Sequence, residues 1–333
     1  MPTTLVTGGA GFVGLAVVEQ LLAQGEHVAA LDVVDLPPDA RELFARLPGR
    51  LEAVHGSVLD AELLGATLKR LHPETVVHAA TVTPDGAREQ ADPVTVNEVN
   101  FNGTLCLLEA LRRQPARLLH LSTSGVYGPI QHRPGFTAPL IGEDVLPDPR
   151  TFYAVSKAAA EQTVLRYAEL FGIEAVVARV GVAWGPWEYD TGARHVFSAP
   201  LQLLRLAQAG RPAVIGRESV KDWSYSRDIG RGVAALANAG AALRSRVFHV
   251  GGDAEWPVTD FARKLAAAFP GFAWTIAERP DDPAVNVTLS KASDRPGLDI
   301  GRLQRETGYR PAYGFDAACA DYLDWAARTR CWR

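Results

Sequence analysis

The chain has 333 residues, 47% hydrophobic and 22% charged, which is typical of a soluble globular protein with a large core. Its formal net charge of −4, with no basic run, excludes a nucleic-acid-binding surface. No apolar run is long enough to span a membrane, no targeting segment precedes the first predicted strand, and the three cysteines lie singly without metal-ligand spacing. We therefore expect a cytoplasmic protein without a metal site.

Short apolar strands alternate with amphipathic helices through the first half of the chain. This alternation predicts an α/β fold with a Rossmann-type, doubly wound parallel sheet, covered on both faces, whose ligands bind at the carboxyl ends of the strands. Strands are predicted at 3–8, 27–32, 51–56, 75–80, 117–122 and 174–179, the last closing the series, and helices at 12–24, at 39–47 and after an N-cap at Asp60.

A glycine-rich motif, GGAGFVG, lies between the first predicted strand and the first helix. Glycines in this position permit a tight turn, a close approach of the backbone to a pyrophosphate, and packing of the helix on the strand. The free N–H groups at the start of the helix favour the phosphates. The motif therefore predicts a dinucleotide site that uses Gly8, Gly11, Phe12, Val13 and Gly14.

An aspartate, Asp32, ends the second predicted strand. A carboxylate there accepts the hydroxyls of an adenosine ribose and repels a 2′-phosphate. Only Val33 and Val34 follow it, so no arginine is placed to accept that phosphate, and NAD is favoured over NADP. Ser57 and Val58, after the third strand, are predicted to border the adenine.

Further motifs occur in a fixed order along the chain. They are VVHAA (76–80), NFNGT (100–104), LSTSGVYG (121–128), YAVSK (153–157) and VGVAWGP (180–186), followed by KDWSYSRDI (221–229) and FHVGG (248–252). Together with GGAGFVG, they make the chain resemble the extended short-chain dehydrogenases/reductases, specifically the NAD-dependent epimerase/dehydratase group. The resemblance covers the first half and extends into the second.

The resemblance implies a catalytic triad of Thr123, Tyr153 and Lys157. Lys157 lies one helical turn after Tyr153 on the same face. A positive charge about 4 Å away, at an effective dielectric of about 20, would lower the tyrosine pKa from about 10 by as much as ~3 units. Tyr153 would be the general base for a substrate hydroxyl, Lys157 would also hold the nicotinamide ribose, and Thr123 would orient the substrate oxygen. The competing interpretation is an ordinary tyrosine–lysine pair on a surface helix.

The resemblance also divides the chain into two parts. Residues 1–181 would form the NAD-binding domain with the catalytic helix, and residues 182–333 mainly a smaller α/β substrate domain, with helices at 195–209 and 257–269 and room for segments that return to the sheet. Additional cofactor contacts are expected from Ala79, Ala80 and Asn100, alongside Tyr153 and Lys157. The candidate substrate-binding residues are Thr81, Thr83, Ser124, Arg194, His195, Lys221 and Arg295.

Three departures from the family pattern bear on the reaction. Val182 stands where nucleotide-sugar members usually have asparagine, and Lys221 where they usually have arginine, which weakens the case for a bound diphosphate. Ser124 and Gly125 replace the acidic pair of dehydratases, which disfavours dehydration. The leading hypothesis is NAD-dependent oxidation of a secondary hydroxyl on a sugar-type substrate, as nucleotide-sugar epimerisation through a transient keto intermediate.

Two alternatives remain open from sequence. One is an NAD-dependent dehydrogenase of a free sugar, a sugar acid or a related hydroxy compound, and the other is a non-catalytic NAD-binding regulatory protein. The resemblance also implies a homodimer joined by a four-helix bundle from residues 91–113 and 152–171. The apolar residues that could serve either the core or that interface are Leu105, Leu108, Leu111, Val164, Leu165 and Leu170.

Overall fold

The computed structural model describes residues 2–194, 196–251, 255–289 and 294–332. The strands in these ranges are β1 (Thr3–Thr7), β2 (His27–Asp32), β3 (Arg50–His55), β4 (Thr75–His78), β5 (Arg117–Thr123), β6 (Leu140–Ile141), β7 (Ala175–Val180), β8 (Val182–Trp184), β9 (Ala213–Ile215), β10 (Val220–Lys221), β11 (Trp223–Tyr225), β12 (Val247–Val250), β13 (Trp256–Pro257), β14 (Trp274–Ile276) and β15 (Gly297–Leu298).

Twelve α-helices are assigned over the same ranges, together with short 3₁₀ turns at Ser124–Tyr127, Ile130–His132 and Gly240–Ala242. The helices are α1 (Phe12–Ala23), α2 (Pro38–Phe44), α3 (Ala61–Leu71), α4 (Gly86–Ala91), α5 (Pro93–Asn97), α6 (Gly103–Arg113), α7 (Phe152–Phe171), α8 (Ala199–Gln208), α9 (Ser226–Asn238), α10 (Val258–Ala268), α11 (Gly301–Thr307) and α12 (Phe315–Arg328).

The main sheet has seven parallel strands in the order β12-β7-β5-β4-β1-β2-β3. From β1 the sheet continues on one side through β2 and β3, and on the other side through β4, β5, β7 and β12. The order therefore reverses between β1 and β4, and a crevice for ligands forms at such a reversal. The carboxyl ends of β1, β4 and β5 open onto this crevice and place Gly8, Ala79 and Thr123 along one edge.

Apolar residues of the sheet are buried on both faces. On one face α1 packs against α9, and on the other α3 and α7 pack against α6. The predicted Asp60 cap is present, since its side chain accepts a hydrogen bond from the Leu63 N–H at the start of α3. The Rossmann-type α/β fold predicted from the alternation of elements is confirmed.

Three details differ from the sequence-based expectations. The strand at 174–179 does not close the sheet, because β12 from the second half pairs with β7 outside it. The helix expected at 91–113 begins at Pro93, because Asp92 caps α5, and it then continues without a break through a π-helix at Glu98–Asn102 into α6. The helix expected from residue 195 begins at Ala199, where the Ser198 side chain caps it. The division of the chain at residue 181 stays a prediction.

No described helix is both long and apolar enough to cross a lipid bilayer. The three cysteines are free thiols. The described residues contain no group of His, Cys, Asp and Glu side chains arranged to hold a metal ion.

Candidate active site

The glycine loop between β1 and α1 closes against the end of β4. Gly8 has φ +69°, and a Cβ there would lie 2.5 Å from the Ala80 nitrogen, so only glycine fits without strain. A Cβ on Gly14 would lie 1.9 Å from the Gly8 carbonyl oxygen. No acidic side chain occupies the first turn of α1, and Gly11 caps the helix without a side-chain hydrogen bond. The start of α1 is thus left open to a phosphate group, as the motif predicted.

Asp32 lies at the carboxyl end of β2, beside this loop. Its Oδ2 accepts a hydrogen bond from the Ala10 N–H at 3.0 Å, and its Oδ1 accepts one from the Val33 N–H at 2.8 Å. Burial raises the pKa of the carboxyl group, and the backbone hydrogen bonds, led by that of Ala10, oppose this effect. The carboxylate is held at the end of the loop where a ribose would be recognised.

A cavity of about 740 Å³ lies at the ends of β4 and β5, and Val13 of α1 lines it, whereas Gly8, Gly11, Phe12, Gly14 and Asp32 are not among its lining residues. Its size lies within the range usual for cofactor and small-molecule sites. Eleven of the residues predicted for the site line it: Val13, Ala79, Thr81, Thr83, Thr123, Ser124, Tyr153, Lys157, Arg194, Lys221 and Arg295.

The catalytic candidates reach the cavity from α7 and β5. Thr151 caps α7 by accepting a hydrogen bond from the Ala154 N–H at 3.2 Å, which fixes the first turn, where Tyr153 lies. Tyr153 is half-buried in the cavity wall, and Lys157, one turn later, is only 2% exposed. An exposed tyrosine–lysine pair on a surface helix is therefore excluded.

The electrostatics of Tyr153 differ from the sequence-based estimate. Burial raises the pKa of its phenol above 10, while hydrogen bonding to Thr123, the charge of Arg194 and hydrogen bonding to Thr83 lower it. The charge of Arg194 was not expected from sequence, which had assigned the lowering of this pKa to Lys157. The oxidised nicotinamide would add a further positive charge.

Lys157 lies among other buried polar groups. Burial lowers the pKa of its ammonium group to about 8, and the Glu161 carboxylate opposes this effect. Burial, together with the Lys157 charge, lowers the pKa of His78 to about 3 and that of His120 well below its ordinary value. Both imidazoles are therefore neutral at pH 7 and do not repel the ammonium group of Lys157.

Asn100 was predicted to bind the cofactor, but its amide is already used within the protein. Its Oδ1 accepts hydrogen bonds from Thr81 Oγ1 and the Val82 N–H, and its Nδ2 donates to the Val82 carbonyl and to Ser156 Oγ. The side chain is fully buried. Asn100 therefore fastens the segment after β4 to α7, and it places Thr81 at the cavity wall.

Several other predicted cofactor residues lie outside the cavity lining. Ser57 Oγ accepts a hydrogen bond from the Leu59 N–H, and Val58 is buried against α6 at Gly103. Ala80 backs onto the glycine loop at Gly8. A contact of Ser57 or Val58 with the adenine stays a prediction.

Three of the predicted substrate residues, Ser124, Lys221 and Arg295, line the cavity. The Arg295 guanidinium donates to both the carbonyl oxygen and Oγ of Ser124, directly after Thr123. Burial lowers the pKa of Lys221 to about 8, and its ammonium lies 5.3 Å from the centre of the Trp223 ring. His195, also predicted there, lies outside the described residues.

Two acids in this region, the buried Asp222 and the half-buried Asp294, were missed from sequence. Burial raises the pKa of Asp222 to about 6, and its Oδ2 accepts the Leu298 N–H at 3.0 Å. Asp294 binds Arg217 through both carboxylate oxygens, at 2.9 and 3.0 Å. Asp222 could have been predicted from the sequence, because it follows the substrate candidate Lys221. Nothing in the sequence around Asp294 marked that residue as part of the site.

A buried ion pair behind Lys157 was also missed. Glu161, one turn after Lys157, accepts hydrogen bonds from Arg179 on β7 at distances from 2.8 to 3.2 Å. Arg179 Nη1 also donates to Tyr127 Oη at 2.7 Å, just beyond the turn that follows Thr123. A charged residue inside an apolar strand was the sequence signal, since such a residue needs a buried partner.

A model of the NAD dependent epimerase/dehydratase family matches residues 4–251. The chain belongs to this family. A dTDP-glucose 4,6-dehydratase from Actinoplanes sp. is 32% identical over 98% of this chain and 98% of that protein.

Solved structures of family members share the whole fold. The double mutant of DesIV, a dTDP-glucose 4,6-dehydratase from Streptomyces venezuelae solved with NAD bound, has a TM-score of 0.76 at 27% identity and covers 99% of this chain and 98% of its own. The UDP-glucuronic acid 4-epimerase from Bacillus cereus has a TM-score of 0.77 at 22% identity, covering 98% of this chain and 99% of its own, and shows the likeness of the fold.

Membership of the epimerase/dehydratase family makes the protein an NAD-dependent enzyme. The residues present fit that cofactor, because a Cβ would block the loop at Gly8 and Gly14, and because Asp32 is held at the ribose end. Gly8, Gly14 and Asp32 would hold the adenosine and pyrophosphate half, and the cavity beyond Val13 would receive the nicotinamide half.

Proposed function

We propose that the enzyme oxidises a secondary hydroxyl of a nucleotide sugar and catalyses epimerisation through a transient keto intermediate. One observation carries this proposal. Thr123, Tyr153 and Lys157 line a single cavity whose wall also includes Val13 of the GGAGFVG motif and two cationic side chains, Lys221 and Arg295. Such cations suit the phosphates of a nucleotide sugar, and the triad then lies on the sugar.

The chemistry proposed for these side chains follows from their placement. Tyr153, as phenolate, takes the proton of the substrate hydroxyl, while Thr123 donates a hydrogen bond that orients the same oxygen. NAD, when bound, supplies the acceptor for the hydride that leaves the carbon. Return of the proton from Tyr153 to the keto oxygen, with hydride delivered to the opposite face of the sugar, completes an epimerisation.

Epimerisation is favoured over dehydration by the residues that follow Thr123. Several relatives are named dehydratases, but Ser124 and Gly125 provide no acid here to expel a hydroxyl group. Ser124 also accepts hydrogen bonds from Arg295, and the guanidinium group makes the surroundings of Ser124 positive. This position therefore has no acid that could protonate a leaving hydroxyl group.

A second candidate is a dehydrogenase of a smaller hydroxy compound, such as a free sugar or sugar acid. Val182 lines the cavity where an amide would contact a diphosphate, and this observation favours a substrate without one. The two functions differ in cofactor balance, since an epimerase regenerates NAD in each cycle whereas a dehydrogenase accumulates NADH. A non-catalytic NAD-binding protein is the remaining alternative, and it predicts no turnover at all.

The decisive experiment is a panel of nucleotide sugars, free sugars and sugar acids, followed at the NADH absorbance with parallel product analysis. We expect an epimeric sugar nucleotide without net NADH. The Tyr153→Phe variant should lose at least 10²-fold in rate, because the general base is removed. Tyr167→Phe on the same helix is the matched control, since its hydroxyl binds Glu109 outside the cavity.

Wild-type rates in Tyr153→Phe would refute the role of the phenol. Stoichiometric NADH with a free sugar or sugar acid would establish the dehydrogenase instead. Tight NAD binding without turnover of any panel member would favour the regulatory alternative.

We also propose a homodimer through α5, α6 and α7, from the apolar residues exposed on this side. Val94 on α5 is 63% exposed, and Val155 and Leu170 on α7 are 44% and 55% exposed. Among the residues first considered for this interface, Leu108, Leu111 and Val164 are at most 1% exposed and belong to the core. Leu105 and Leu165 are half-buried and Leu170 is exposed, so these three stay interface candidates.

A further inference from the structure

The segment between β8 and α8 passes beside the glycine loop, and we call its residues 185–194 the strap. Trp187 within the strap is fully buried and has φ +72°, a conformation that costs free energy in a residue other than glycine and is kept only where surrounding contacts hold it. Its ring packs edge-on against Phe44 of α2 and Trp325 of α12, with the ring centres 5.1 and 5.5 Å away. Its Nε1 donates to Glu19 of α1 at 2.9 Å. The strap is therefore firmly held where it begins.

The residue after Trp187 is also held by buried contacts. Glu188 is fully buried, and its carboxylate accepts hydrogen bonds from the Ser198 N–H at 2.7 Å and from the hydroxyl of the same residue. The carboxylate also pairs with Arg194 Nη2 at 3.0 Å. These contacts join the strap to itself and to the start of α8, so that the next residue, Tyr189, extends from a fixed backbone.

Tyr189 connects the strap to the glycine loop. Its Oη donates to the Ala10 carbonyl oxygen at 2.6 Å. The N–H of Ala10 in turn donates to Asp32 Oδ2 at 3.0 Å. Ala10 is thus held at its carbonyl group by the second half of the chain, while its N–H holds the carboxylate that is expected to bind the ribose.

The hydroxyl of Tyr189 keeps its proton near neutral pH. Burial raises the pKa of this phenol, and the charge of the Asp32 carboxylate raises it further. The ring is partly buried and packs against the main core. Tyr189 is therefore a permanent donor to the Ala10 carbonyl, and its side chain has little freedom to turn away.

We propose that Tyr189 is a positioning residue for the cofactor: its hydroxyl fixes Ala10 and, through the Ala10 N–H, orients the Asp32 carboxylate toward the ribose of NAD. The proposal assigns part of the NAD site to the second half of the chain, whereas the sequence placed all cofactor contacts within residues 1–181. It rests on the expectation that Asp32 binds the ribose. It does not depend on the reaction proposed above, because it concerns cofactor binding alone.

The test is a double-mutant cycle in which isothermal titration calorimetry measures NAD affinity in the full chain, after removal of bound cofactor. Tyr189→Phe keeps the ring and removes the hydroxyl, and we expect it to weaken NAD binding about fivefold, the effect of one lost hydrogen bond. In the Asp32→Asn background the same substitution should change the affinity by less than about twofold, because the carboxylate that Tyr189 orients is gone. A residue that only stabilised the fold would weaken NAD binding by the same factor in both backgrounds.

A second measurement needs no cofactor. Hydrogen exchange of the peptide that contains Ala10, followed by mass spectrometry in the cofactor-free protein, should become about threefold faster or more in Tyr189→Phe, because the Ala10 N–H is then held less firmly by Asp32. Unchanged exchange in this peptide would contradict the proposed connection from Tyr189 to Asp32.

Arg88→Met is the matched control. Arg88 Nη1 donates to the Gly192 carbonyl at 2.7 Å, so this variant loosens the other end of the strap and leaves the Tyr189 hydroxyl in place. We expect its NAD affinity and its exchange at Ala10 to match those of the wild type.

Three results would overturn the proposal: unchanged NAD affinity in Tyr189→Phe, an equal loss in the two backgrounds, or an equal loss in Arg88→Met. If Asp32→Asn alone left NAD binding unchanged, the ribose assignment and this proposal would fail together. Absence of sugar turnover, together with the expected double-mutant cycle, would count only against the proposed function.

Discussion

At the scale of single residues, we expect the preference of the enzyme for NAD over NADP to depend on Asp32. We expect Asp32→Asn to weaken NAD binding about tenfold or more and to narrow the preference over NADP, because the charge that receives the ribose hydroxyls and repels a 2′-phosphate is lost. Titration of tryptophan fluorescence with each dinucleotide measures both affinities.

Asp35→Asn is the control for this measurement. Asp35 lies three residues further along the chain, with an 82% exposed side chain that forms an ion pair with Arg41. Its substitution should leave both dinucleotide affinities unchanged. If Asp32→Asn bound NAD as tightly as the wild type does, the ribose assignment would be wrong.

At the scale of secondary-structure elements, the junction of β1 and α1 depends on the absence of a side chain at Gly14. We expect Gly14→Ala to abolish NAD binding and to lower the free energy of unfolding by more than 1 kcal/mol, because the new Cβ would lie 1.9 Å from the Gly8 carbonyl oxygen. Urea unfolding with and without NAD checks both effects.

Gly65→Ala is the matched control for that substitution. Gly65 lies inside α3, where an added Cβ would meet no atom within 4 Å. Alanine should therefore stabilise the protein by up to about 1 kcal/mol, since it restricts the unfolded chain and favours the helix. Equal losses in the two variants would show that crowding at the loop is not the cause.

At the scale of the whole molecule, the exposed apolar residues on α5 and α7 predict a dimer. We expect the wild type to elute with twice the chain mass of 35.8 kDa and Val94→Arg to shift toward the monomer, because a charge would be buried at the interface. Size-exclusion chromatography with light scattering measures the mass.

Leu146→Arg serves as the control for the dimer, because Leu146 is a 76% exposed apolar residue in the loop that precedes α7. This variant should keep the mass of the wild type. A monomeric wild type would refute the four-helix bundle. Loss of the dimer in both variants would show that the effect of Val94→Arg is not specific to the proposed interface.

Local chemistry in the sequence was sufficient to predict the parallel sheet, the turn at the glycine motif and the helix that carries Tyr153 and Lys157. Each depends on residues within about one strand or one helical turn of each other, and their physical requirements are the same in any fold that contains them. The cap at Asp60 was predictable for this reason, whereas the bounds of α7 were those that the resemblance implied. The motif order then placed these elements along one edge.

Only the tertiary structure decided which charges meet in the cavity. Arg295 reaches Ser124 across 171 residues of chain, Arg194 of the second half lies over the Phe12 ring, and β12 returns from the second half to extend the sheet. No periodicity or spacing records such contacts, because they arise when distant segments pack together. The burial of Tyr153, which raises the pKa of its phenol, also follows from that packing and could not be predicted from the spacing of Tyr153 and Lys157.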